Sequence, residues 1–219
     1  MRNRASSTKR GQMNHSKMIR MTVDAARGAS QSSRSLEPAG VILLLALVLG
    51  CRTTPEIPGR GIGGTGDDFG YSVQPTFDGG YIIAGATSSY GAAGKDVYLV
   101  KTNSAGDTVW TRRYGGPGDD EANSVRQTSD GGYIIAGYTE SYGVIGTDGG
   151  DVWLIKTDGA GDTDWTRTFG GPEYDCGWSV QQTSDDGYII AGTTRSFGAG
   201  DNDVCLVRTD ANGNDVKTW

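Results

Sequence analysis

The ten residues DGGYIIAGAT that begin at Asp78 return as DGGYIIAGYT at Asp130 and as DDGYIIAGTT at Asp185. Self-similarity at a period of 52 and 55 residues limits a chain to a solenoid, a propeller or an array of like units. Each copy carries four short strand-like runs separated by turn residues. In the second copy these are NSVRQTS (A), GYIIAGYT (B), DVWLIKT (C) and TDWTRTF (D). No run has helical length or period. B and C are apolar on both faces and require cover on both. D alternates Trp165, Arg167 and Phe169 with Thr166 and Thr168, as an outer strand with one wet side does. Pro75 in the first A run has no N–H for a ladder and demands an edge. Sheets with a buried middle and two edges, stacked on like sheets, are propeller blades. The expected fold is all-β: three four-stranded antiparallel blades at about 62–114, 115–169 and 170–219, an incomplete ring.

The turns are also legible. The A–B turns end in Gly80, Gly132 and Gly187, and the expectation is that this third residue is left-handed. Asp186 at the second position argues that this site needs no positive φ. In the C–D hairpins Gly106, Gly161 and Gly213 have the same reading.

The 36 glycines fit many tight turns. Charge separates the chain in two. Residues 1–50 hold eight Lys/Arg and two Asp/Glu; the remainder holds twelve Lys/Arg against twenty-four Asp/Glu, a net charge of −12. So acidic a body argues against nucleic acid. AGVILLLALVLG (Ala39–Gly50) is too short to span a bilayer as a helix and has the length of a signal-peptide core, with a basic segment before it. The sequence predicts a helix around Val41–Leu49.

VLGC (Val48–Cys51) resembles the bacterial lipoprotein signal. That resemblance implies cleavage before Cys51, a lipid on Cys51, and a tether over 51–61 that holds the body at the bacterial cell envelope without a spanning helix. Ordinary secretion is the alternative. The repeats DGGYIIAGYT, DVWLIKTDGAGD and WTRTFGG resemble those of large secreted bacterial β-propeller proteins, and TDGAGDTDW is similar to the hairpin of quinoprotein-like blades. The likeness implies the blade fold; the quinoprotein cofactor is not carried over, because it needs a fuller ring and ligands that have no place in these repeats. Related repeat proteins carry glycanase labels, so the second reading is the non-catalytic repeat portion of a larger polysaccharide-active enzyme.

Catalysis has little to stand on. His15, the single histidine, lies in the leader, which leaves no Ser–His or Cys–His pair in the body. Most aspartates sit beside glycines at turns. The expected role is a binding or interaction scaffold for a protein or a glycan. Variation gathers on the rim of B–C and D–A loops, where binding on a repeated scaffold usually resides. The D–A loops are expected to place Tyr71, Asn123 and Trp178 at equivalent points, and the B–C loops Tyr90, Tyr142 and Phe197. Asp68, Asp120 and Asp175, just before each A strand, are a candidate set for Ca²⁺, against which stands the simpler role of capping each D–A turn. Cys176 and Cys205 are a candidate disulfide, with two separate thiols as the alternative. Three blades fall short of the four to eight of a closed ring. A stretch of a longer propeller, self-association to complete a ring, and an open arc are the three possibilities. Either end of the array is expected to carry an uncovered apolar face.

Overall fold

The computed structural model describes residues 59–90, 93–144 and 149–218. The proposed leader, its helix and Cys51 lie outside these residues. All of the described structure lies in one compact unit, 59–219.

Twelve strands and no helix make up the described residues. β1 (Asp68–Pro75), β2 (Tyr81–Thr87), β3 (Asp96–Thr102) and β4 (Thr108–Tyr114) form the first blade. β5 (Asp120–Gln127), β6 (Tyr133–Thr139), β7 (Asp151–Thr157) and β8 (Thr163–Phe169) form the second. β9 (Asp175–Gln182), β10 (Tyr188–Thr194), β11 (Asp203–Thr209) and β12 (Asp215–Thr218) form the third. Each is a four-stranded antiparallel meander in sequence order, with no closed sheet, so the unit is a propeller-like array of three blades as expected. Pro75 ends β1, an edge strand.

The blades stack face to face. Ile82, Ala84, Val97 and Leu99 of the first meet Ala122, Val125, Tyr133, Ile135, Trp153 and Ile155 of the second. Ile134, Ala136, Val152 and Leu154 of the second meet Val180, Tyr188, Ile190 and Val207 of the third. This is why the B and C runs are apolar on both sides. Their odd positions serve one seam and their even positions the other. The A strands also touch along the array: Val125 N donates to Ser72 Oγ (3.3 Å) and Val180 N to Ser124 Oγ (3.2 Å).

The A–B turns correct the expectation. Positive φ falls on the second residue, Gly79 (81°), Gly131 (86°) and Asp186 (60°). Aspartate is one of the few side chains that tolerates this region. Gly80, Gly132 and Gly187 are glycine for a steric reason instead. A Cβ there would stand well inside 3.0 Å of the carbonyl oxygens of Thr102, Thr157 and Thr209. The C–D hairpins agree with expectation, with positive φ at Gly106, Gly161 and Gly213.

One polar clamp recurs at these turns. Asp130 accepts from Thr128 Oγ1 (2.5 Å) and Gly132 N (3.0 Å), and the ammonium of buried Lys156 lies 2.9 Å from its Oδ2. Lys101 meets Asp78 at 2.8 Å and Arg208 meets Asp185 at 2.6 Å. Burial would raise the Asp130 carboxyl, but the bonds from Thr128, Lys156 and Gly132 outweigh it and hold it at about 2. A carboxyl lowered on folding contributes stability that is complete above its unfolded value of about 4 and is lost as pH falls toward 2. The melting temperature is therefore expected to drop between pH 4 and 2, and Asp130→Asn to flatten part of that limb. An acid limb of unchanged slope in Asp130→Asn would refute the clamp's contribution.

Candidate functional site

Tyr71, Asn123 and Trp178 lie not in loops but in the A strands, at equivalent irregularities. The ladder skips a residue between Gly70 and Ser72, between Ala122 and Ser124, and between Gly177 and Ser179. Each is the extra residue of a β-bulge, a device that re-aims a side chain. Opposite each bulge stands a B-strand glycine: Gly85, Gly137 and Gly192. A Cβ on any of them would collide with the carbonyl oxygen of Phe69, Glu121 or Cys176, the second residue of the facing A strand.

The three bulge residues converge. Together with Glu121, Tyr138 and Tyr174 they line a cleft of about 540 Å³. Tyr71 and Trp178 stand half exposed. The indole Nε1 of Trp178 donates to Thr193 Oγ1 (3.0 Å). Phe69 stacks on Tyr71 (5.9 Å between centroids), and Tyr138 lies against Tyr174 at 5.8 Å. Asn123 Nδ2 donates to Gly177 O (3.1 Å) and to Cys176 Sγ (3.3 Å), tying the second blade to the third. Lys95 meets Glu121 at 2.7 Å, and the Arg195 guanidinium stands 5.7 Å from the Tyr174 ring. Burial raises the phenols of Tyr138 and Tyr174 above the ordinary tyrosine value, and nearby acidic groups add to the rise. Tyr71 is raised by burial and by Glu121, with Lys95 opposing. These phenols stay neutral donors at physiological pH. Reading the sequence missed Glu121, Tyr138 and Tyr174. Tyr138 and Tyr174 carried a signal, because they interrupt positions held by Ala86 and Thr193 or lie just outside the repeated core.

Tyr90, Tyr142 and Phe197 do not join this cleft. The rings of Tyr90 and Tyr142 pack back on their own C strands, against Tyr98 (6.0 Å) and Trp153 (5.3 Å). The Tyr142 hydroxyl donates to Gly115 O (2.7 Å).

Asp68, Asp120 and Asp175 each cap their own D–A turn. Their Oδ2 atoms accept from the amides of Gly64, Gly116 and Gly171 at 2.8–2.9 Å, and from Ser89, Ser141 and Ser196 at 2.6–2.7 Å. Among the described residues no three His, Cys, Asp or Glu side chains form a cation group, so the three carboxylates are not one Ca²⁺ site. Cys176 and Cys205 are free, which corrects the disulfide expectation. Cys176 is in β9 and Cys205 in β11, with β10 between them, and two strand spacings of about 4.8 Å exceed the reach of a disulfide. Burial pushes the Cys176 thiol up to about 11, against the bonds from Tyr174 and Asn123, so it is a poor nucleophile. Comparison with protein-family models and with characterised proteins finds no match to this chain.

Proposed function

We propose that this protein is an exported, lipid-anchored, non-catalytic binding scaffold whose ligand surface is the cleft of Tyr71, Glu121, Asn123, Tyr138, Tyr174 and Trp178, and whose ligand is a glycan of the cell envelope or its surroundings. One observation carries the reading: the same bulge in three successive blades delivers three different side chains to one cleft. The bulge is constant while its passenger varies, as on a scaffold whose contacts are set by loops and irregularities. Half-exposed aromatic faces offer flat apolar surface to the C–H faces of a sugar ring, and the polar groups beside them fix orientation by hydrogen bonds. The acidic body suits an uncharged or cationic polysaccharide better than an anionic one. Anchoring through Cys51 would keep the cleft at the envelope. Self-association through the array's ends would multiply it.

The experiment expresses the full chain in a bacterial host and measures membrane-fraction retention of soluble envelope glycans, with Trp178 fluorescence as a second readout. Cys51→Ser is expected to release the protein from membranes with binding intact. Trp178→Ala is expected to weaken glycan binding at least tenfold with the melting temperature nearly unchanged, since the ring is half exposed. Retention unaffected by Cys51→Ser would sink the anchor; glycan binding unaffected by Trp178→Ala would sink the cleft.

A further inference from the structure

The walls of the aromatic cleft accept cations. A ring face carries the negative lobe of its quadrupole, and two cations of the chain already sit on rings at its margin. Lys95 Nζ stands 5.5 Å from the centre of the Phe69 ring, and the Arg195 guanidinium 5.7 Å from that of Tyr174. Two further rings have room. Phe69 covers one face of Tyr71, with the ring planes 14° apart, and Tyr71 remains half exposed. Trp178 is half exposed as well, with its indole fixed by Thr193. A cation over a ring of this kind gains about 0.5–2 kcal/mol, the larger value where water is excluded.

The polar groups of the cleft are short of acceptor partners. The indole N–H of Trp178 and the amide N–H groups of Asn123 are committed inside the protein, so Asn123 has only its carbonyl to offer. Lys95 holds Glu121 through Oε1 (2.7 Å), and a carboxylate accepts on both oxygens. That carboxylate is no requirement of the blade, since its position holds Phe69 in the first and Cys176 in the third. The surrounding charge has the same sign. Beyond burial, which is the main cause of the rise, Glu121 raises all three phenols, Glu140 and Asp119 add to it at Tyr138, and Lys95 opposes at Tyr71. A field that resists a phenolate favours a cation in the same place.

We infer that the glycan held in this cleft is built of amino sugar with free, un-acetylated amino groups, one ammonium resting against Glu121 and Asn123 and the sugar ring lying on Trp178 or Tyr71. A primary ammonium has three N–H donors and no acceptor, which matches a carboxylate, an amide carbonyl and ring faces. A quaternary ammonium would satisfy the rings but has no N–H for Glu121 or Asn123. An N-acetyl group replaces the charge with a neutral amide, and an anionic sugar meets a field of its own sign. The inference rests on the reading of the cleft as a glycan site and narrows it to one class of glycan.

The test is titration calorimetry of the full chain, at a mildly acidic pH that keeps the amine protonated, with a glucosamine tetrasaccharide, its N-acetylated form and the corresponding glucose tetrasaccharide. The amino form is expected to bind about tenfold tighter than either neutral form, with an advantage that shrinks as salt is added. Glu121→Gln is expected to bring the amino and acetylated affinities together. Lys95→Met relieves the carboxylate of its resident cation and is expected to widen the gap. Damage to the fold would move the three ligands alike and leave their ratios unchanged, so the ratios report recognition of the charge. Equal or tighter binding of the acetylated form overturns the inference and leaves the glycan site standing, whereas no binding of any of the three overturns both. Where Glu121→Gln fails to fold, a gap that Lys95→Met does not widen overturns the inference by itself.

Discussion

Gly137→Ala is expected to unfold the middle blade. The new Cβ would be placed against the Glu121 carbonyl and close to the Ala122 Cα, and both are backbone atoms of a paired strand. Neither can rotate away as a side chain would. Relief requires β5 to separate from β6 at the bulge, which breaks the ladder and disturbs both seams, because β6 contributes to both cores, β5 contributes to the first, and Ser124 of β5 accepts from Val180 N of the third blade. A loss exceeding about 4 kcal/mol is expected for such a core backbone clash, against a total stability of about 5–15 kcal/mol for an ordinary domain. Gly79→Ala is the matched control. Its position has a positive φ and nothing within 4 Å of a new Cβ, so only the left-handed strain of about 1–2 kcal/mol is added. Chemical denaturation followed by circular dichroism separates the two. Similar midpoints for both variants would show that the close approach at the bulge is not a real constraint. The same experiment tests the cleft, because a protein that tolerates Gly137→Ala has no reason to hold Asn123 where it stands.

This glycine also shows where a sequence stops being readable. Strand identity, blade order and the edge position of Pro75 follow from period, alternation and a missing N–H, each a property of a single run. A bulge is a relation between two runs. The glycine in IIAG looked like part of a strand pattern, although an isolated strand glycine is a known mark of a bulge or close approach. Taken as strand pattern alone, it leaves Tyr71, Asn123 and Trp178 in loops. The A–B turns hide a related ambiguity. Two adjacent glycines answer two demands, one conformational at Gly79 and Gly131, one steric at Gly80 and Gly132. The sequence displays both without saying which is which. Asp186 did discriminate, but in the opposite sense to the one drawn, since aspartate accepts positive φ and no side chain accepts a carbonyl within its own radius. Cys176 and Cys205 were separable only once β10 was known to run between them.

The purified chain is expected to self-associate end to end. Positions that are sealed at the internal seams stand open at the ends. Val125 and Val180 are 0 % exposed, whereas Val73, their counterpart in the first blade, is 58 % exposed. Val152 and Leu154 are 0 % exposed, whereas their counterparts Val204 and Leu206 in the third blade are 87 % and 40 % exposed. Tyr98 on the first face stays buried beneath Tyr90, so the surface is only partly bare. These two faces are the two halves of the contact that the chain already makes twice. The third blade of one copy can therefore receive the first blade of another, with Ser179 in the role that Ser72 and Ser124 play toward Val125 and Val180. Covering roughly 400 Å² at about 25 cal/mol per Å² contributes about 10 kcal/mol, against association costs of about 4–15 kcal/mol. At the low end of that cost the balance is about 6 kcal/mol, a Kd of tens of micromolar, for a head-to-tail contact that yields rings or open chains according to its rotation. Sedimentation at tens of micromolar is expected to show species larger than a monomer. Val204→Lys is expected to return the chain to a monomer without lowering its melting temperature, because that side chain touches little of its own molecule. A wild-type chain that stays monomeric at this concentration and binds no hydrophobic dye would show that the end faces are not an interface.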